Sequence, residues 1–259
     1  MNIDTITEIF AYLIIYSFLG WILESIYKTI YQKRFVNSGL IYGPFCVIYG
    51  IGALIMHLFL DGFKSNILLL FLISIIVMSM WEYLASIILE QIFKVRYWDY
   101  STQKFNFQGR ICLKTSICWG ILGVTLTIWI HPTVTSLINQ VPHSVLMYTV
   151  LVLVIYIIVD TVVSSIEIIN MEIGIGKLKE LEEAIKLRLD ELKTLRANSK
   201  RIATVNNIIE EIKNKQSIIK EKVLKQTTRL KNAFPSMKSE KFSEFLNQKV
   251  KIFKNDKKR

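Results

Sequence analysis

The amino-acid sequence predicts an all-α, polytopic membrane protein of about five transmembrane helices with a parallel two-helix internal repeat, followed by a C-terminal cytoplasmic coiled coil or helical hairpin. Three observations lead there. Of the 259 residues 52% are hydrophobic, and before residue 170 they gather in runs close to the ~20 residues that cross a bilayer as a helix. The formal net charge of +11 sits entirely at the other end: up to Asn170 nine Lys/Arg balance nine Asp/Glu, and from Met171 onward 23 stand against 12. A shift of 66 residues, finally, lays one helix-and-loop segment on another. Together these exclude a soluble single domain. A cleavable signal peptide is not expected, because Met1 to Thr7 has no positive residue and no small-residue cleavage site closes the first apolar run.

The predicted spans run roughly from Thr7 to Tyr27, Pro44 to Leu60, Asn66 to Ile88, Ile111 to Ile130 and Val145 to Glu167, the second short enough to require bilayer thinning or snorkelling. Lys/Arg are absent before the first span; three stand in the first loop (Lys28, Lys33, Arg34), one in the second (Lys64) and four in the third (Lys94, Arg96, Lys104, Arg110). The fourth loop has none and the tail has 23. In a cell membrane this alternation puts the N-terminus outside and the first loop, third loop and tail in the cytoplasm. The expected domains are a transmembrane domain over 1–170, cytoplasmic helices over 171–233 and a basic tail over 234–259. Cys46, Cys112 and Cys118, odd in number and within or beside apolar segments, are expected as buried thiols.

After Glu172, apolar residues recur at Leu178, Leu181, Ile185, Leu192 and Leu195, then in a shifted frame at Ile202, Val205, Ile209, Ile212, Ile219, Val223 and Leu230. Spacings of three and four make a helical seam, and the frame change near Ala197 to Lys200 predicts a hairpin or a rod with a discontinuity. Beyond Phe234-Pro235, Phe242, Phe245 and Phe253 stand among eight Lys/Arg, a solvated tail or a segment that lies on anionic lipid. Nucleic acid is not an expected partner.

The 66-residue shift places Leu23-Glu24-Ser25-Ile26-Tyr27-Lys28 on Leu89-Glu90-Gln91-Ile92-Phe93-Lys94 and continues without gaps through Cys46 on Cys112, with seven identities in 24 positions. Both copies cross a cytoplasmic loop in the same direction, so the repeats are parallel, a known way of building transport folds. Gly43-Pro44 and Gly109-Arg110 stand where each loop turns into a helix. Each is an ordinary helix start or, with its free N–H groups, an anion site.

Glu24, Glu82, Glu90, Asp160 and Glu167 fall inside the spans, where a carboxylate at the centre costs about 2.5–3.5 kcal/mol. They must face protein or water. Arg110 and Lys114, four apart at the start of the fourth span, are the natural cationic partners, and Arg110 replaces Pro44 in the second copy beside the Glu90 that matches Glu24. Two readings stand: interhelical ion pairs, or a path for a polar substrate or ion lined by these side chains. No enzyme constellation appears, and no metal or cofactor is expected. His57, His131 and His143 have no metal-ligand spacing, and Gly174-Ile175-Gly176-Lys177 lacks both the upstream glycine and the following Ser/Thr of a phosphate-binding loop.

A further set of residues carries a resemblance: Gly20-Trp21 with Glu24; Asn37, Gly39, Gly43-Pro44 and Tyr49-Gly50; Trp98-Asp99-Tyr100-Ser101; and Asn106 with Gly109-Arg110, followed by Trp119-Gly120. Over roughly Phe18 to Gly123 the chain resembles the family called "Putative ABC-transporter type IV", small bacterial membrane proteins. It departs from that pattern at Ser38, where an Arg is common, and at Val47, where a Pro is common. The resemblance implies a membrane-embedded, permease-like subunit of an ABC-type transport system. The chain has no ATPase of its own, so that role requires a separate ATP-binding subunit. The alternative, from a different class, is a non-transporting membrane scaffold or sensor that assembles partners or copies of itself through the cytoplasmic coiled coil.

The topology is tested by cysteine labelling from outside sealed cells. Engineered thiols near Asp61 and Gln140 are expected to react, and thiols near Phe35, Gln103 and Lys215 are not; external labelling at position 103 overturns the arrangement.

Overall fold

The structure, a computed structural model, describes residues 3–194 and 199–238. It is almost entirely helical. In chain order come α1 (Ile3–Gln32), α2 (Val47–Leu60) with a 3-10 turn at Asp61–Phe63, and α3 (Ile67–Phe93). Two short strands follow, β1 (Asn106–Phe107) and β2 (Ile111–Cys112), then α4 (Leu113–Thr125), a π-helical turn at Leu126–Ile130, and α5 (His131–Ile138). The chain continues as α6 (His143–Thr194) and α7 (Ser199–Ala233). Four helical segments are long and apolar enough to cross a membrane: Asp4–Gln32, Ile67–Phe93, Leu113–Ile138 and His143–Leu192. The remaining apolar helix, Val47–Phe63, is shorter.

These helices are inside-out by the standards of a water-soluble protein. On α3, Leu68, Leu72, Ile76, Met80, Leu84, Ile88 and Ile92 form an exposed stripe with a step of four, while Ser74, Glu82 and Ser86 lie on the buried face. α6 repeats the pattern: Leu151, Ile155, Val159 and Val162 are exposed, and Asp160 and Ser164 are buried. Large apolar side chains facing outward, with polar ones buried beside core residues such as Leu70 and Met78, is the arrangement that lipid favours, since lipid gives apolar groups no reason to withdraw and polar groups every reason to. Close approach is made at small residues. A Cβ on Gly50 of α2 would lie 2.6 Å from the Leu13 carbonyl oxygen of α1 and against Ser17 Oγ. Ser79 of α3 and Ser116 of α4 touch through their hydroxyls at 2.7 Å.

The loop between α1 and α2 does not stay at the end of α1. It runs back down that helix by about three turns. The Val36 N–H donates to Thr29 Oγ1 (3.1 Å), the Ser38 N–H to Ser25 Oγ (3.2 Å), Trp21 Nε1 to Asn37 Oδ1 (2.6 Å) and the Cys46 N–H to the Ser17 carbonyl (2.9 Å). Val36, Ser38, Ile41, Phe45 and Cys46 are buried along the way. α2 therefore starts beside the middle of α1. The α3–α4 loop also folds back, since Tyr83, ten residues before the end of α3, donates to Gln108 Oε1 (2.9 Å) and its ring lies tilted at 5.7 Å from that of Phe107. Cys46 and Cys112 occupy the position just before α2 and α4, respectively.

The chain divides into two compact units, one reaching Ser165 and including Asn232–Met237, the other running from Ile166 to Lys231. In the second, α6 and α7 pair antiparallel: Gly174 packs against Val223 and Ile219, and Ile168, Met171, Ile175 and Leu178 are buried on α6 as are Val205, Ile209, Val223 and Leu230 on α7. The charge boundary expected at residue 171 is not a helix boundary, because α6 passes through it without a break. Positions 195–198, which include Ala197 and Asn198 of the expected turn, and the basic tail from 239 lie outside the described residues, while Ser199 and Lys200 already belong to α7.

Candidate functional site

Asp160, Glu90, Glu24 and Glu82 find three kinds of partner: backbone N–H groups, cations and neutral side-chain donors. Asp160 of α6 accepts from the backbone: the Tyr42 N–H reaches Oδ1 at 3.0 Å, the Gly43 N–H reaches Oδ2 at 2.6 Å, and Ser164 Oγ adds a third bond at 3.2 Å. Gly43 is required there because a Cβ would meet Tyr156 Oη at 2.5 Å and Asp160 Oδ2 at 2.9 Å. The free N–H groups at the Gly43-Pro44 corner are thus taken by a carboxylate of the chain itself. Asp160 fastens the returning loop to α6 and supplies the acceptors that a buried turn requires.

Glu90 forms the ionic group. Arg110 Nη2 lies 2.6 Å from Glu90 Oε2, Arg96 Nε lies 3.4 Å from the same oxygen, and Arg110 Nη1 donates to Ser86 Oγ (2.8 Å). Lys114 is exposed and enters no ion pair among the described residues. Glu24 pairs with Lys28 one turn later at 2.6 Å and lies 3.8 Å from Cys46 Sγ. Glu167 belongs to the second unit and is half-buried there.

Glu82 differs from all of these. It is 7% exposed, and no cation among the described residues pairs with it. Tyr100 Oη donates to Oε1 (3.0 Å) and Trp119 Nε1 to Oε2 (3.0 Å). Thr115 Oγ1 stands 3.4 Å from Oε2, but its single proton is better placed for the Cys112 carbonyl at 3.0 Å. Two firm neutral donors therefore hold one carboxylate. The Tyr100 phenol is pushed upward by burial and then by the Glu82 charge, so it remains a donor. The Tyr49 ring of α2 lies 5.7 Å from that of Trp119. Glu82, Tyr100 and Trp119 thus make one polar cluster of α3, α4 and the loop between them, with Tyr49 of α2 packed against it. A buried carboxylate with neutral donors and no counter-charge retains the capacity to take a proton or a cation.

The residues that carry the family resemblance build the loop that delivers Tyr100. Trp98 Nε1 donates to the Arg110 carbonyl (3.0 Å), and Asp99 accepts from the backbone N–H and hydroxyl of Ser101 (3.0 and 2.9 Å). The Tyr100 N–H binds the Gly109 carbonyl (2.7 Å), and Asn106 bridges the Gln103 carbonyl and the Gly109 N–H (2.8 and 3.0 Å). Gly109 has φ +67°, which a side chain would strain. In the first loop Asn37 plays the corresponding part, taking the Trp21 proton and donating to the Tyr42 carbonyl (2.8 Å). Gly39 has φ +103° beside Cys46, and Gly20 gives its space to the Tyr49 side chain.

At the other end of the bundle the helices bring together residues with no sequence signal. The rings of His57 and His131 lie 3.9 Å apart, Tyr16 Oη is 2.6 Å from His131 Nδ1, and Tyr12 Oη is 3.0 Å from Thr135 Oγ1. An open depression of about 630 Å³ borders them, lined by Lys64, His131, Thr135, Asn139 and Gln140 among others. No group of metal-ligating side chains occurs among the described residues.

Inside-out helices around a buried polar cluster define a polytopic helical membrane protein. The chain belongs to the family "Putative ABC-transporter type IV", which matches residues 11–165 and so ends where the first compact unit ends. No curated protein and no solved structure matches the chain.

The Glu90–Arg110 pair is tested by a double-mutant cycle on thermal stability in detergent. Glu90→Gln and Arg110→Gln are each expected to destabilise, with a coupling of about 0.5–1.5 kcal/mol, because Glu90 is partly hydrated. Strict additivity removes the pair from the account.

Proposed function

We propose that the chain is the membrane-embedded, permease-like subunit of an ABC-type transport system and that a separate subunit supplies ATP hydrolysis. The observation that carries this reading is Glu82: a carboxylate kept at helix-interior depth without a cation among the described residues, in a member of an ABC-transporter family. Among the described residues ion pairs hold Glu24 and Glu90 and backbone N–H groups hold Asp160, so Glu82, held by a phenol and an indole, is the one we assign to a moving charge. In this reading α2 is a fifth, shortened span, the N-terminus is outside, and the part of α6 after residue 170 forms a cytoplasmic coiled coil with α7.

The internal repeat supports the same reading. A shift of 66 residues superposes Cys46 on Cys112, each just before a helix, and carries the Leu13–Gly50 contact onto the Ser79–Ser116 contact. Two parallel helix pairs that meet beside Glu82 are a frame for a polar path. The scaffold or sensor reading is favoured by a different observation: α6 continues for 52 residues from its apolar segment into its charged one, as a connecting rod would.

Purification of the tagged full-length chain in mild detergent separates the two. The transport reading expects an ATP-binding protein in near-stoichiometric yield, whose ATP hydrolysis in lipid discs falls about tenfold with Glu82→Gln while assembly persists. Co-purification of other proteins without an ATPase, or full activity of Glu82→Gln, sinks it.

A further inference from the structure

The first compact unit contains one short piece of chain from far along the sequence, Asn232–Met237. It is gripped from two sides. From the end of α1, Lys28 Nζ donates to the Ala233 carbonyl and stands 4.7 Å from the centre of the Phe234 ring. Gln32 Nε2 donates to the Asn232 carbonyl (2.9 Å) and Arg34 Nη2 to Asn232 Oδ1. From beyond the end of α3, Tyr97 meets Phe234 edge-on with ring centroids 5.0 Å apart, and is itself backed edge-on by Phe93 at 6.0 Å. The Met237 N–H closes a turn onto the Phe234 carbonyl (3.0 Å), and Ala233 and Met237 are buried.

The chemistry of this grip is that of a helix C-terminus meeting a cation and an aromatic wedge. α7 ends at Ala233, where carbonyls lack helical partners, and a lysine both satisfies one and meets the negative end of the dipole. The same ammonium faces the Phe234 ring, a second favourable contact. Lys28 is 12% exposed, low for a lysine, and its other partner is Glu24 at 2.6 Å. Glu24 in turn lies 3.8 Å from Cys46 Sγ. One line of contacts thus leads from Phe234 through Lys28 and Glu24 to Cys46.

We propose that Asn232–Met237 is a strap that covers the Lys28–Glu24 pair and Cys46 behind it between the ends of α1 and α3, with Phe234 as its wedge and Lys28 as its latch. Lifting it opens Glu24 and Cys46 to water from the loop side and leaves Lys28 to Glu24 alone. The strap is the direct continuation of α7, so a partner that draws on the end of α7 releases it. This goes beyond the transport reading and holds equally for a sensor.

Cys46, buried beneath Lys28 and Glu24, reports on the strap. Full-length protein carrying Cys118→Ser, in native membranes, is treated with N-ethylmaleimide, and tryptic cleavage at Lys231 and Lys238 is followed in parallel. With the native strap, Cys46 and Cys112 are expected to react slowly and the strap to resist trypsin. Phe234→Ala is expected to expose the tryptic sites and to speed Cys46 labelling about tenfold, the signature of a locally opened state, while Cys112 beneath the β1–β2 loop stays slow. A freed strap with Cys46 still protected overturns the proposal. So does acceleration of Cys46 and Cys112 together, which marks general loss of structure. A strap that stays protected in both Phe234→Ala and Phe234→Ala/Asn232→Ala also overturns it, because the wedge then holds nothing.

Discussion

One constraint shapes this molecule: a polar group placed beside the middle of a membrane helix must find its partner within the protein, because lipid offers none. The loop from Lys33 to Cys46 meets it by pairing with α1 at Thr29, Ser25, Trp21 and Ser17 in turn, and by giving two of its remaining N–H groups to Asp160. Irregular backbone runs that deep because its N–H groups at Val36, Ser38, Tyr42, Gly43 and Cys46 are taken up by hydroxyls, a carboxylate and a backbone carbonyl on neighbouring helices. The same constraint sorts the carboxylates. Glu24 and Glu90 take cations, Asp160 takes backbone N–H groups, and Glu82 takes a phenol and an indole.

This sorting gives the family-like residues a physical meaning. Trp98, Asp99, Ser101, Asn106 and Gly109 bond mainly to one another and to local backbone, and their joint product is a rigid loop whose Tyr100 reaches Glu82. Replacing one of them disturbs the presentation of a single hydrogen bond from a distance. Ser38 sits at 0% exposure where the family pattern commonly has Arg, so the first loop of this chain has no cation at that point, and its tight packing leaves no space for one.

Much of this was legible in the sequence. Apolar runs and the carboxylates within them located α1, α3, α4 and α6, and the replacement of Pro44 by Arg110 between the repeat copies pointed to the contact with Glu90. Of the seam positions on α7, Val205, Ile209, Val223 and Leu230 are buried and Ile202, Ile212 and Ile219 are half-buried. What was hidden depends on distance along the chain. Asp160 meets Tyr42 and Gly43 across 118 and 117 residues, and nothing in either segment's pattern names the other. His57 and His131 meet only because α2 and the π-helical turn are neighbours in space. The retracing loop was hidden for a different reason: its polar residues resemble those of any surface loop, and only the partners lined along α1 show that it descends. Likewise the neutral stretch before residue 171 and the basic one after it suggested two elements, where one helix carries both compositions.

The descent of the first loop is the claim on which the site rests, and backbone hydrogen exchange of the full-length protein in lipid discs tests it most directly. Within the peptide from Val36 to Cys46, the N–H groups of Val36, Ser38, Tyr42, Gly43 and Cys46 are expected to exchange as slowly as those of α1, because they are bonded to α1 and to Asp160. Exchange as fast as that of the short loop at Lys64-Ser65 would mean a solvated surface segment, and would contradict the account of Asp160, of α2 and of the enclosed cluster together.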